Sequence, residues 1–292
     1  MKNIFVIFGL LAVSNAVLEE NSLHNDAWIE YKSEFGKQYD NETEEIRRFG
    51  IFLENKKYIE EHNKLYEMGN VSYDLGMNDF ADLTDEEYWA LSNPIPLNPS
   101  KILPGEEANR RSRRAAHDKI PDSFDWRTKK KVTVVKDQKG CTVCWAFATA
   151  GVIESHYAIK MGKLISLSEQ NLVDCVAGGT KTNKCRPNNF YYPLQYVQQN
   201  GIMKESDYPY KPKGGDCKFK KNKSALKIKD FRQVTLGQEK DIRKFIATRG
   251  PLAVAISSQP KSFKLYKNGI YSNTECNNYE TDHAVLIVGY GI

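Results

Sequence analysis

No stretch of this sequence is long and apolar enough to span a bilayer. Its one sustained apolar run, Ile4 to Val13, is about ten residues against the roughly twenty a membrane helix needs. Cysteine is scarce, six in 292 residues, too few for a small disulfide-dense scaffold yet enough for a few bridges in a larger oxidised domain. The Cys141/Cys144 pair has no second close pair, since Cys175 and Cys185 stand ten apart, so no metal site is expected. A 40% hydrophobic fraction with 27% charged residues excludes disordered and collagen-like chains and leaves one large or two modest domains.

The apolar run at the N-terminus has a different meaning. Lys2, the run itself and Ser14-Asn15-Ala16, with small residues where a signal peptidase reads, mark residues 1–16 as a signal peptide. The expected route is the secretory pathway, to an extracellular or lysosomal destination where cysteines oxidise. Sequons stand at Asn41-Glu-Thr, Asn70-Val-Ser and Asn222-Lys-Ser, whereas Asn98-Pro-Ser is disqualified by its proline.

Charge divides the remainder. Residues 17–119 carry 13 Lys and Arg against 22 Asp and Glu, net −9, and residues 120–292 carry 28 against 15, net +13. The lysines of the second part are scattered through loops, and no groove-reading motif accompanies them, so nucleic acid is not the expected partner. An acidic segment of the same chain is. Between the parts, Asn93-Pro-Ile-Pro-Leu-Asn-Pro and Lys101 to Lys119, with Arg110-Arg111-Ser112-Arg113-Arg114, read as an extended linker at about 93–119 open to a processing protease.

The acidic part reads as helical. Asp26 to Phe35 is a short amphipathic run ended by Gly36, and Asn41 to Tyr66 contains no proline and only Gly50. Within it Glu44, Arg48, Phe52, Asn55, Ile59 and Asn63 are spaced to project from one face. Gly76, Asn78, Phe80 and Asp82 then alternate at the period of a strand, and Thr84 caps Asp85-Glu86-Glu87. These two patterns, in this order, resemble the inhibitory propeptide of cathepsin L-like proteases in the papain family.

The basic part carries a candidate nucleophile. From Cys144 to Met161 the pattern is helical, with Gly162 as a stop, so Cys144 sits at a helix N-terminus, where the macrodipole is expected to lower a thiol's pKa. His156 lies twelve residues down the same helix, and His24, His62 and His117 precede this part. His283, near the start of an apolar strand-like run, remains as the base. A thioredoxin-like redox pair would need an aromatic residue before the first cysteine and a strand leading in. A merely structural Cys144 stays open on spacing alone.

The papain-family resemblance goes further. It implies Cys144 as nucleophile, His283 as general base and later acid, and Gln138 as oxyanion donor beside the Cys144 N–H. It also implies disulfides Cys141 to Cys185 and Cys175 to Cys217, leaving Cys276 unpaired, and a cleft lined by Asn188, Asn189, Phe190 and Asp282, with Phe190 favouring a bulky apolar side chain two residues before the cut. Thr142, Val143 and Asn188 replace family glycine and serine positions and are expected to narrow the cleft. The implied fold is α+β: a papain-like two-domain fold with a helical left domain and a β-barrel-like right domain, its last strands missing. An α-helical inhibitory propeptide at 17–119 precedes the peptidase domain at 120–292. The Asn-Ser-Trp-Gly segment that orients the family's histidine is absent, so these residues read either as part of a longer zymogen, activated in acid by propeptide removal, or as an impaired homologue serving as a binding or inhibitor module. Protein or peptide substrates, a propeptide acting in cis, a monomer and no cofactor are expected.

Overall fold

The structure is a computed structural model describing residues 24–92, 120–176, 185–233, 239–274, 276 and 280–291. The expected signal peptide and linker, including Arg110 to Arg114, lie outside them. In chain order the elements are α1 (24–34), α2 (Glu42–Glu67), β1 (Tyr73–Leu75), α3 (Asp85–Trp89), β2 (Phe124–Asp125), α4 (Cys144–Met161), α5 (Glu169–Val176), α6 (Tyr191–Asn200), β3 (Ile202–Met203), β4 (Ser224–Leu226), α7 (Glu239–Thr248), β5 (Leu252–Ile256), α8 (Lys261–Lys264), β6 (Tyr266–Gly269), β7 (His283–Ile287) and β8 (Gly289–Tyr290). The chain forms two compact units, one of residues up to 90 with 259–278, the other of 91–258 with 279–292. Residues 259–278, which sequence reading places in the basic part, thus pack with the acidic one. Among the described residues no helix is long and apolar enough to cross a membrane.

In the first unit α2 starts just after Asn41, whose Oδ1 accepts the Glu44 N–H at 3.0 Å. Its one-sided stripe meets a stretch of chain that is not helical, and this explains the mixture of residue types. Asn55 Nδ2 donates to Ala81 O at 2.8 Å and Leu83 O at 3.2 Å, and the Asn63 amide exchanges two hydrogen bonds with the Leu75 backbone. Arg48 ties Glu44, Glu87 and Asp82 O together. Phe52, 1% exposed, fills the space between Trp28 and Tyr31.

The alternation from Gly76 to Asp82 is not a strand. The only β1 residues are Tyr73–Leu75, and the chain then turns, Asn78 Oδ1 accepting the Phe80 N–H while Asp82 accepts from Tyr31, Lys37 and Tyr39. Side-chain anchoring of each polar residue has replaced a ladder. Thr84 does cap α3, in a reciprocal capping box with Glu87.

Residues 259–278 complete this unit. β6 pairs antiparallel with β1, Gly76 N donates to Leu265 O, Asn78 Nδ2 to Lys264 O at 2.7 Å, and Trp89 Nε1 to Gln259 O at 2.7 Å. Gly269 has φ +97°, and a Cβ there would lie 2.4 Å from Ser72 O, so only glycine fits this approach.

The second unit is built around α4. Trp145, Ala146, Ala150 and Ile153 are buried with Leu167, Leu172, Val173, Val197 and Ile202. Ser168 Oγ accepts the Asn171 N–H at the start of α5. Disulfides join Cys141 to Cys185 and Cys175 to Cys217. The β-rich portion consists of open antiparallel pairs, β5 with β7 and β2 with β8, each strand having one partner among the described residues, rather than a closed barrel.

A buried charge cluster lies beneath α4 and α5. Lys136 Nζ donates to Glu154 at 2.8 Å and Glu169 at 2.6 Å, and Glu154 also accepts the Leu167 N–H. Burial pushes Glu169 up to about 7 against the pull of Lys136, and burial raises Glu205 too. A carboxyl whose folded pKa is raised contributes stability that is complete below its unfolded value and is lost as pH rises through the folded one. Thermal stability is therefore expected to fall between pH 4.5 and 7. In Glu169→Gln, which keeps the Lys136 to Glu154 pair, that part of the melting-temperature profile flattens; an unchanged slope would show that Glu169 is not its source.

Candidate active site

Cys144 is the first residue of α4, and the residue before it, Val143, supplies no side-chain cap, so the first N–H groups of the helix are left for other acceptors. Its position is fixed from both sides. The Cys141 to Cys185 bridge holds the preceding turn, and Trp145, fully buried, donates from Nε1 to Arg186 O at 2.7 Å. Thr142 and Val143 are themselves buried, Val143 completely.

His283 is the first residue of β7, held by the β5 ladder that sets Ile256 opposite His283 and Ala255 opposite Ala284. Cys144, Ala148 and Ala284 form one buried cluster with Phe190, Ala253 and Ala255 packed against it. The cysteine and the strand that begins with the histidine are thus brought together by small residues. The sequence shows that signal only as the alternating alanines of β5, Ala253 and Ala255. His156 is remote in role, its Nε2 hydrogen-bonded to Pro251 O at 3.0 Å.

Electrostatics at the pair runs against the sequence expectation for the thiol. Burial pushes Cys144 up; the N–H groups of Ala284 and Trp145 oppose this, and the Asp282 charge adds to the rise. The N-terminal position of the helix is worth about 1 kcal/mol, less than the desolvation of a buried thiolate. Burial lowers His283, with Asp282 acting in the other direction. Both directions favour the neutral thiol and imidazole in this state.

Asp282 is 1% exposed and fully engaged: Oδ1 accepts from Ser258 N at 2.7 Å and Ser258 Oγ at 3.0 Å, and Oδ2 from Ser92 Oγ at 3.1 Å. Ser258 and Ser92 had no sequence signal. Gln138 O accepts from Tyr210 Oη at 2.7 Å, while its side-chain Oε1 is buried with no partner among the described residues. Asn188 Oδ1 accepts the Asn189 N–H, and Asn189 Oδ1 the N–H groups of Tyr191 and Tyr192, so both amides organise the start of α6. Phe190 faces the cysteine cluster. Cys276 carries no disulfide.

Known proteins of the same build are numerous. Residues 120–292 match the papain family cysteine proteases, and residues 28–88 match the cathepsin propeptide inhibitor domain (I29). Digestive cysteine proteinase 1 of Homarus americanus is 38% identical over 91% of this chain and 81% of its own length. Cathepsin L1 of Drosophila melanogaster is 38% identical over 98% of this chain and 77% of its own. Among solved structures, digestive procathepsin L2 from the Tenebrio molitor larval midgut superposes with a TM-score of 0.83 at 35% identity, covering 92% of this chain and 86% of that one. The chain belongs to the papain family of cysteine proteases, as a cathepsin L-like zymogen in which a propeptide inhibitor domain precedes the peptidase.

Proposed function

We propose that Cys144 is the nucleophile of this endopeptidase, His283 its general base and acid, and Gln138 an oxyanion donor. His283 takes the thiol proton as Sγ attacks the scissile carbonyl carbon, and the oxyanion is held by the Gln138 amide and the Cys144 N–H. The imidazolium then protonates the leaving amine. Water, deprotonated by His283, hydrolyses the thioester and restores the thiol. The observation that carries this reading is the packing of Cys144 against Ala284, the neighbour of His283 in β7. Phe190 on the same cluster supports a preference for a bulky apolar side chain two residues before the cut. Asp282 acts as a positioning residue whose charge favours the imidazolium. The signal-peptide pattern supports travel through the secretory pathway to a secreted or lysosomal site.

Cys144→Ala and His283→Ala are each expected to lower kcat/KM by about 10⁴-fold or more. Gln138→Ala should lower kcat by about 10²-fold with little change in KM. Peptide hydrolysis by Cys144→Ala at the wild-type rate would sink the assignment.

The opposite charges of the two parts, −9 and +13, support activation by acid. Carboxylates protonate near pH 4 while lysines stay charged, so the attraction weakens. Glu87 is different. Burial acts to raise it, but the Thr84 N–H and the Arg47 and Arg48 guanidiniums hold it at about 2, so its contribution to the propeptide, present above 4.5, is lost only as pH falls through about 2. The zymogen should lose its propeptide at about pH 4 and keep it at neutral pH, as intact mass over time will show; equal rates at both values would remove the proposal. The Arg110 to Arg114 cluster is proposed as a site for a second, basic-site protease. Conversion by that protease should then slow in the Arg113→Ala/Arg114→Ala double variant, and full conversion of the variant would count against it.

A further inference from the structure

Phe190 reaches the candidate site from a loop that is pinned along its length. Cys185 is bridged to Cys141, just ahead of Cys144, and Arg186 O accepts the Trp145 Nε1 proton at 2.7 Å. Pro187 fixes its own φ and disfavours the helical region for Arg186. Asn188 Oδ1 then accepts the Asn189 N–H at 2.9 Å, and Asn189 Oδ1 the Tyr191 N–H at 3.0 Å. Arg186 is thus held by its own backbone beside the residue that follows Cys144, a few positions before Phe190.

The fold makes no use of its side chain. Arg186 is exposed, and its guanidinium has neither a hydrogen-bonded nor an ionic partner among the described residues. The surrounding sequence supplies no acid to provide one: no Asp or Glu stands between Asp174 and Glu205, a stretch that also carries Lys181, Lys184 and Lys204. On another flank Pro212 O lies 4.0 Å from Cys185 Sγ, with exposed Lys211 and Lys213 on either side of that proline. A guanidinium at a fixed place without a partner is suited to take a carboxylate from outside, with two parallel N–H groups.

We propose that Arg186 is a specificity determinant that selects substrates with an acidic side chain three residues before the scissile bond. The inference rests on the proposed roles of Cys144 as nucleophile and of Phe190 as the wall for the side chain two residues before the cut. A peptide bound in extended form turns successive side chains to opposite sides. When one side chain enters the cluster that Phe190 shares with Cys144 and Ala148, the one before it points away, to the exposed rim that carries Arg186. A basic substrate residue there would meet like charge from Arg186, with Lys211 and Lys213 adding to the same field. Because the loop is already ordered, the contact costs only side-chain freedom.

The test uses the full chain after acid activation, assayed at about pH 6.5, where a substrate Glu is ionised. The peptides are alike except for Glu, Gln or Lys three residues before the cut, and each has a bulky apolar residue two before it. By kcat/KM, Glu should be favoured over its isostere Gln by about threefold, the effect of an exposed ion pair, and Lys disfavoured by a similar factor. The preference should shrink in about 0.5 M salt and disappear as pH falls below about 4, where the substrate carboxyl is protonated. Arg186→Gln should bring Glu and Lys to within about twofold of each other, and Arg186→Glu should place Lys first, a swing of about tenfold or more. The Gln peptide should be cut at nearly the parent rate by both variants, and Lys211→Gln/Lys213→Gln should keep most of the preference. The inference is overturned if Arg186→Glu still prefers Glu, if the Gln peptide loses as much as the Glu peptide, if the acidic preference lies at another position, or if the double lysine variant abolishes it. Hydrolysis abolished by Cys144→Ala ties the activity to this site, so that missing selectivity in an active enzyme counts against Arg186 alone; a preparation that cuts none of the peptides overturns both readings.

Discussion

Lys264 is 2% exposed, and its ammonium donates to Leu83 O at 3.0 Å and to the Asp85 carboxylate at 2.6 Å. A buried cation left without these partners would cost several kcal/mol, so wherever Lys264 goes the turn into α3 must go too. The remaining contacts of this unit are arranged around that requirement. Asn78 takes the Lys264 carbonyl, Leu265 is completely buried beside Leu75, and the β1–β6 ladder continues the same edge. The inhibitory segment is thereby fastened to a stretch that belongs, by sequence, to the peptidase it precedes. Separating them would expose the ammonium and the carboxylate together with a ladder edge.

A similar economy governs the proposed catalytic pair. The thiol lies where helix N–H groups could favour a thiolate, but burial raises it, and burial lowers the histidine. Charge separation between Cys144 and His283 is therefore disfavoured in the state described. A change that returned water to the two groups would relieve the dominant penalty on both at once, leaving the N–H groups in place to favour the thiolate and Asp282 to favour the imidazolium. The fixed dipoles need no rearrangement for this, since β7 and α4 already hold them.

What the sequence discloses about the fold is mostly what is local. Asn41, Thr84, Ser168 and Gly162 mark helix ends because each cap is made within a few residues, and the stripe on α2 is legible because its period is that of the helix itself. Gly76 to Asp82 misleads for the converse reason: a period of two is common to strands and to turns whose alternate side chains are tied down individually, and only the distant partners, Tyr31, Tyr39 and Lys264, distinguish them. The joining of 259–278 to the acidic part rests on contacts some 170 to 200 residues apart, which no pattern of composition reveals. The direction of the Cys144 shift is not legible in the sequence, because helix position is written locally and burial is not.

The same distinction explains why the site depends on residues with almost no chemistry. Ala148 on α4 stands against Ala284 on β7, and one turn further Gly151 faces Leu286, where a Cβ would come within 3.2 Å of the leucine side chain. These two positions, three apart on one face of the helix, are what let the strand approach closely enough for the Ala284 N–H to face the sulfur. At Gly151 an added Cβ would meet only the flexible end of the Leu286 side chain, but a larger side chain at Ala148 would press on Ala284, and β7 would have to give because Trp145 anchors the start of α4 in the core. His283 begins that strand and would move with it. The approach of Cys144 to the strand that His283 begins is therefore set by absent side-chain volume, and the small residues between them matter to the proposed nucleophile and base as much as the pair itself.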